Sequence, residues 1–239
     1  MKKILAVVLA VALLLSFAAC GKKDDTKDDV TDKVSSTDVV STEDVVSTED
    51  VVSTEDTTSS FVRGVVSGKK YENEFLGLGV ELGESWFFYT DEEIATLYGI
   101  VESAYLEDFE EYLKNATVIY DMQVVDSLTG NNIGINFEKL TTEGEIATVN
   151  MESFVSSLMP TMVNSLELMG CTDVNYEVAS FEIGGKTVYG GKVSSILSGV
   201  ELYQLSLCIK CDGYMASISI TSVGSDTTQS ILDSFYAVE

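Results

Sequence analysis

Few residue types in this chain could do chemistry. The first candidates are the thiols of Cys208-Ile209-Lys210-Cys211, a CxxC, with Cys171 upstream. In a redox enzyme such a pair opens a helix, where the dipole lowers the first thiol's pKa. Here an alternating run precedes it and Asp212-Gly213 follows it, so it closes a strand. Side chains three apart on a strand point to opposite faces, which works against a disulfide within the motif. Three thiols without a histidine are too few for a closed zinc site. Small buried hydrophobes are expected, with a Cys171–Cys208 or Cys171–Cys211 bridge as the alternative.

Acid pairs come next. Glu92-Glu93 and Glu110-Glu111 could serve two-carboxylate glycoside chemistry. Residues 61–239 hold 27 acids, however, so such pairs arise by chance. Solvated helix faces are the simpler reading. Asp121 differs: it lies mid-strand among apolar neighbours, so its carboxylate needs a partner or an exposed face. No Asp-x-Asp-x-Asp-Gly calcium loop is present. The chain has no histidine, which excludes Ser-His and Cys-His catalysis and His metal sites from its own residues. No catalytic residue, metal ligand or cofactor is expected. Trp86, the only tryptophan, is expected to be a core residue, with ligand stacking as the alternative.

Several elements position these groups. Leu78, Val80 and Leu82 alternate with Gly79, Glu81 and Gly83 as in a half-buried strand, and Gly83-Glu84-Ser85 then delivers Trp86. Thr90 before Asp91-Glu92-Glu93 fits a capping box, so a helix should run to about Tyr98 and break at Gly99. Val101, Tyr105, Phe109, Tyr112, Leu113 and Ala116 fall on one face of a second helix. Val118 to Val124 and Ile133 to Phe137 alternate around the turn cluster 128–132 and predict a hairpin. A stripe from Phe154 to Leu166 predicts a helix over 151–169, kinked by Pro160. Gly184-Gly185, Ser198-Gly199 and Asp212-Gly213 separate four alternating runs, Asn175–Ile183, Lys186–Leu197, Val200–Cys211 and Tyr214–Val223, into an antiparallel meander. A terminal helix from Asp226 carries Ile231, Leu232 and Phe235. About six strands with helices between them read as an α+β fold, a mostly antiparallel sheet flanked by helices.

The first sixty residues read as address and tether. Met1-Lys2-Lys3 precedes a twelve-residue apolar run, Ile4 to Leu15, too short to span a bilayer but suited to a signal-peptide core. Phe17-Ala18-Ala19-Cys20 resembles the bacterial lipobox, with Phe17 where leucine is usual. That resemblance implies cleavage before Cys20 and a thioether-linked diacylglyceryl group on it, whose two chains are enough for stable anchoring. Ordinary secretory cleavage is the alternative. Residues 20–60 then hold the lipidated cysteine and a six-residue repeat, Asp38-Val39-Val40-Ser41-Thr42-Glu43 onward, that puts no apolar stripe on any face. They read as a disordered acidic linker rich in Ser, Thr and Val. The net charge is −25, and losing Lys2 and Lys3 with a leader of residues 1–19 takes it to −27. Such a chain should avoid nucleic acid.

Residues 61–239 are expected to form one globular domain. From residue 64 on, Tyr71-x-Asn73-x-Phe75-x-Gly77, Trp86, Thr90-Asp91-Glu92-Glu93-Ile94, Tyr120-Asp121-Met122, Ile183-Gly184-Gly185 and Tyr214-Met215-Ala216 carry a resemblance. They resemble small secreted lipoprotein domains of anaerobic Gram-positive bacteria that are similar to the PsbP-like α/β/α sandwich. The resemblance implies a lipoprotein at the extracytoplasmic face of the cell membrane and no established enzymatic activity. Photosynthetic relatives act as accessory subunits. The expectation is a non-enzymatic binding or accessory domain, held to the membrane through lipid on Cys20, with an unknown envelope protein or ligand as partner. A substrate-binding receptor for a transporter is the alternative, and an envelope hydrolase the third reading. Two facing carboxylates in a cleft would favour the hydrolase, a concave pocket lined by aromatics with few acids the receptor, and a smooth, pocketless surface the accessory module.

Overall fold

The structure is a computed structural model that describes residues 61–100, 116–140 and 150–238. The apolar leader, Cys20, the repeat, and residues 101–115 with Glu110-Glu111 lie outside the described residues.

The domain begins with three short strands, β1 (Val65–Ser67), β2 (Lys70–Asn73) and β3 (Leu78–Glu81). They pair antiparallel in sequence order. Leu78, Val80 and Leu82 are all buried, as their alternation predicts. Trp86 opens β4 (Trp86–Phe88). Helix α1 (Asp91–Tyr98) follows, and its ends are those expected. Thr90 Oγ1 accepts from the Glu93 amide, the Glu93 carboxylate accepts from the Thr90 amide at 2.8 Å, and Gly99 closes the helix in the left-handed region. The hairpin is present as β5 (Val118–Asp126) and β6 (Asn132–Lys139).

Helix α2 (Met151–Leu168) runs unbroken across Pro160, which lies on its exposed side. Asn150 caps its start by accepting from the Ser153 amide. The meander follows as β7 (Cys171–Ile183), β8 (Lys186–Leu197), β9 (Val200–Cys211) and β10 (Tyr214–Val223). Its registers close on two-residue turns, Ile183↔Lys186, Leu197↔Val200 and Cys211↔Tyr214. Both central residues of the first two turns have positive φ, which suits the right-handed strand twist. Only the glycine does so in Asp212-Gly213. A short helix α3 (Thr228–Leu232) and a strand β11 (Phe235–Ala237) end the described chain.

These strands make two sheets, one ordered β1-β2-β3-β11 and the other β4-β5-β6-β10-β9-β8-β7. The α+β class read from the sequence is the class observed. Helices α1 and α2 pack on one face of the large sheet, while the small sheet and α3 cover the other. The core between the sheets joins Tyr71, Val80, Phe137, Leu207, Ile218 and Leu232. Trp86 belongs to it at 8% exposure, so the ring is a core residue.

Three expectations change. Phe235 does not continue the terminal helix but begins β11 opposite Val80. Its ring thereby enters the inter-sheet core, which a five-residue helix could not deliver it to. The described residues contain eleven strands and not six, because β1, β2, β4 and β11 have only three or four residues each. Finally, β5 does not alternate throughout. Tyr120 pairs Asn136 while Met122 pairs Ile135, so Asp121 is an extra residue at a bulge. Ile119, Met122 and Val124 consequently share the inter-sheet core.

Candidate functional site

Asp121 is where the sequence left a carboxylate in need of a partner. The bulge turns it toward the small sheet, and its side chain has no exposed surface. It accepts from the Tyr71 hydroxyl, from Asn73 Nδ2 at 2.9 Å, from the Gly64 amide at 3.0 Å and from Arg63 Nε at 3.4 Å. The guanidinium of Arg63 also forks onto Asp91 at 2.8 and 2.9 Å, in the acidic first turn of α1. One carboxylate thus ties the start of the domain, β2, β5 and, through Arg63, helix α1. Burial and the adjoining Asp121 charge hold the Tyr71 phenol well above its ordinary pKa, so it stays a donor.

A cleft of about 440 Å³ opens beside this cluster, lined by Arg63, Val65, Phe88, Tyr89, Ile94 and Asp121 among others. Its two carboxylates, Asp91 and Asp121, share one guanidinium. Both accept from it, and Asp121 accepts from three further donors besides. Glu93 is spent on the helix cap and Glu92 is exposed, so this pair is structural.

The thiols are apart from one another. Cys208 faces α2 and Cys211 packs against the inter-sheet core, as spacing on a strand requires. Cys171 lies in the same helix-side cluster as Cys208, and all three thiols are free. Burial pushes Cys208 and Cys211 up to about 11, and raises Cys171 too. Such thiols are almost wholly protonated at neutral pH, the opposite of a redox pair. Among the described residues no cluster of three His, Cys, Asp or Glu side chains is placed to hold a metal.

The helix-side face of the large sheet carries a feature the sequence reading missed. Two neighbouring rows of cross-strand partners run from β5 to β8. One is Gln123, Gly134, Ser219, Ser206 and Gly191, and the next is Val125, Asn132, Thr221, Gln204 and Val193. Gln123, Asn132, Gln204 and Thr221 are each 1% exposed. Six atoms of the two rows find no hydrogen-bond partner in the protein: Gln123 Nε2, Asn132 Oδ1, both amide atoms of Gln204, Ser206 Oγ and Thr221 Oγ1. Buried polar side chains are usually paired, so this floor is unlike the Asp121 cluster on the opposite face. Structure frames it at both ends. The Tyr98 hydroxyl donates to Gln123 Oε1 at 3.1 Å, and its ring stacks on Tyr120 at 3.6 Å. At the other end a Cβ on Gly191 would fall 2.2 Å from Met159 Sδ, so α2 sits directly on β8.

No protein-family profile and no curated protein matches this chain in sequence. Among solved structures it is similar to the solution structure of the cyanobacterial PsbP protein CyanoP from Synechocystis sp. PCC 6803, with 12% identity, 75% of this chain and 98% of that chain covered, and a TM-score of 0.45. It is also similar to LpqN, described as involved in cell envelope biogenesis of Mycobacterium tuberculosis, with 11% identity, 68% of this chain and 83% of that chain covered, and a TM-score of 0.36.

Proposed function

We propose that this chain is a lipid-anchored, extracytoplasmic binding domain without catalytic activity, tethered to the cell membrane through Cys20. The observation that carries the binding reading is the concave cleft beside Asp121, where the aromatic rings of Phe88 and Tyr89 and the side chain of Ile94 meet Arg63 and two carboxylates. The carboxylates and thiols of the described residues that could have done chemistry are engaged in the fold or buried and protonated. That cleft favours capture of a small molecule, the receptor form of the reading, over a smooth accessory surface.

The anchoring half is tested at Cys20. Expressed in a bacterial host and fed labelled palmitate, the wild-type chain should take up label and fractionate with membranes. Cys20→Ser should lose the label and either enter the medium or remain as the uncleaved precursor. Equal labelling and processing of both chains overturns the assignment.

A further inference from the structure

Two strand edges flank the cleft beside Asp121, and they are finished differently. β4 has a neighbour only in β5. Lys69 covers its outer side: the ammonium donates to the Trp86 carbonyl at 2.7 Å and to the Glu84 carbonyl at 2.9 Å, and lies 4.7 Å from the centre of the Phe87 ring. A lysine on an edge is a usual guard against strand pairing. β1, the edge of the small sheet, carries no charge. Val65 and Val66 there are 67% and 46% exposed.

Register decides which groups of β1 are open. The Leu82 amide donates to the Lys69 carbonyl at 2.9 Å, so Lys69 and, two residues on, Tyr71 turn their backbone groups toward β3. Val66 stands opposite Tyr71, so its N–H and C=O point away from β2. Gly64, two residues earlier, points the same way, and its amide reaches the Asp121 carboxylate at 3.0 Å. The open edge of β1 therefore faces the cleft, which Gly64, Val65 and Val66 line in succession. Asp121 takes the Gly64 amide, whereas the Val66 N–H and C=O have no partner among the described residues.

We infer that the cleft binds a short extended peptide as an added strand on β1. The inference rests on the receptor reading and names its ligand class. One peptide residue accepts from the Val66 N–H and donates to its C=O, as in an antiparallel pair. Side chains alternate along the peptide, so every second one meets the wall of Phe88, Tyr89 and Ile94, which calls for an apolar residue. Charge adds a basic one. Arg63 is the one cation lining the cleft and the adjoining hollow that shares Tyr89 and Thr90, against Asp91, Asp121, Glu92 and Glu93. A lysine or arginine near the apolar residue complements that surface, and an acidic peptide is repelled. The volume of about 440 Å³ suits a ligand of a few residues. A second copy of this chain would bring a net charge of −25 to the same edge.

The experiment uses the full chain in a zwitterionic detergent. Capped tetrapeptides Val-Leu-Val-Lys and Val-Phe-Val-Lys are titrated calorimetrically. Beside each run two N-methylated copies, one blocked at the first and third amides and one at the second and fourth, and a copy with Glu for Lys. Phenethylamine is the small-cation probe. At least one tetrapeptide should bind. One of its N-methylated copies should lose about tenfold or more while the other keeps most of the affinity, and the Glu copy should lose about tenfold. Val66→Pro removes an N–H that β2 does not use, a change strand edges tolerate. Val65→Lys gives the exposed edge the guard it lacks. Each should weaken the peptide about tenfold, the size of one main-chain hydrogen bond, with the thermal midpoint unchanged. Should Val66→Pro fail to fold, Val65→Lys decides. The inference is overturned if no tetrapeptide binds, if both N-methylated copies bind as the parent does, or if both variants bind as wild type does. A dimer in sedimentation that Val65→Lys dissolves would overturn it in favour of a second copy. Phenethylamine binding without the peptides overturns the peptide class and leaves the receptor reading in place, and the Cys20 labelling result stands apart from every one of these.

Discussion

Replacing Asp121 by alanine removes the acceptor that four elements share. Four donors would lose it: the Tyr71 hydroxyl, Asn73 Nδ2, the Gly64 amide and Arg63 Nε. Arg63 keeps Asp91, and its side chain is 22% exposed, so water compensates it in part. Tyr71 and Asn73 are 0% and 1% exposed and have no such recourse. Breaking a buried charged network by removing one member costs about 3–5 kcal/mol. A domain of ordinary stability holds about 5–15 kcal/mol in total. At a urea slope of about 2 kcal/mol per molar, the midpoint should fall by roughly 2 M. Urea titration followed by Trp86 emission measures this. Tyr71→Phe should cost about 1 kcal/mol alone, and much less in the Asp121→Ala background, because its partner is already gone. Arg63→Met should cost more than its solvated bond to the 47%-exposed Asp91 is worth, because it also takes the guanidinium from the buried Asp121 carboxylate. An Asp121→Ala midpoint within error of wild type, or strict additivity with Tyr71→Phe, would refute the assignment of Asp121 as a lock.

Trp86→Ala should destabilise the domain by about 3–5 kcal/mol, and native Trp86 emission should be blue-shifted and move red on unfolding. A native spectrum that is already red would put the ring in solvent. Cys208 should resist alkylation in the native chain at pH 8 and react once urea unfolds it, as read by peptide mass mapping; rapid native labelling would contradict its burial. Burial works against the charge of Asp226, yet its bonds from Lys192 at 2.7 Å and from Thr228 together hold its pKa below the ordinary value. That stability is present above the unfolded pKa of about 3.9 and lost as pH falls through the lower folded value. Asp226→Asn should therefore be less stable than wild type at neutral pH and converge with it in acid. Parallel curves would remove the linkage.

Much of this fold was legible because its signals are local. The Thr90–Glu93 box, Gly99 and the dipeptide turns of the meander each lie within a few residues of what they control. The Cys208–Cys211 opposition followed from the period of a strand alone. What failed was non-local. Phe235 stands four residues after Ile231, the spacing of a helix face, and only Val80 in the small sheet makes it a strand. Asp121 was seen to need a partner, but a period of two cannot reveal an inserted residue. Its donors at positions 63 to 73 are about fifty residues away in the chain.

The polar rows were legible in a different sense. Asn132-x-Gly134-x-Asn136, Gln204-x-Ser206 and Ser217-x-Ser219-x-Thr221 are plain alternation in sequence, and alternation in an antiparallel sheet ordinarily means one face in the core and one in water. The structure buries Asn132, Asn136, Gln204 and Thr221 of the polar face and leaves Ser206, Ser217 and Ser219 half-buried. An unmade bond on a buried polar group costs about 1–3 kcal/mol, so six open atoms amount to roughly 6–18 kcal/mol, comparable to the whole stability of a domain. Ordered water is the usual partner of such buried groups. Stability alone gives no reason to keep Gln204 where methionine would fit without an open amide. Asp121 on the opposite face shows this same chain satisfying a far more demanding group with four donors.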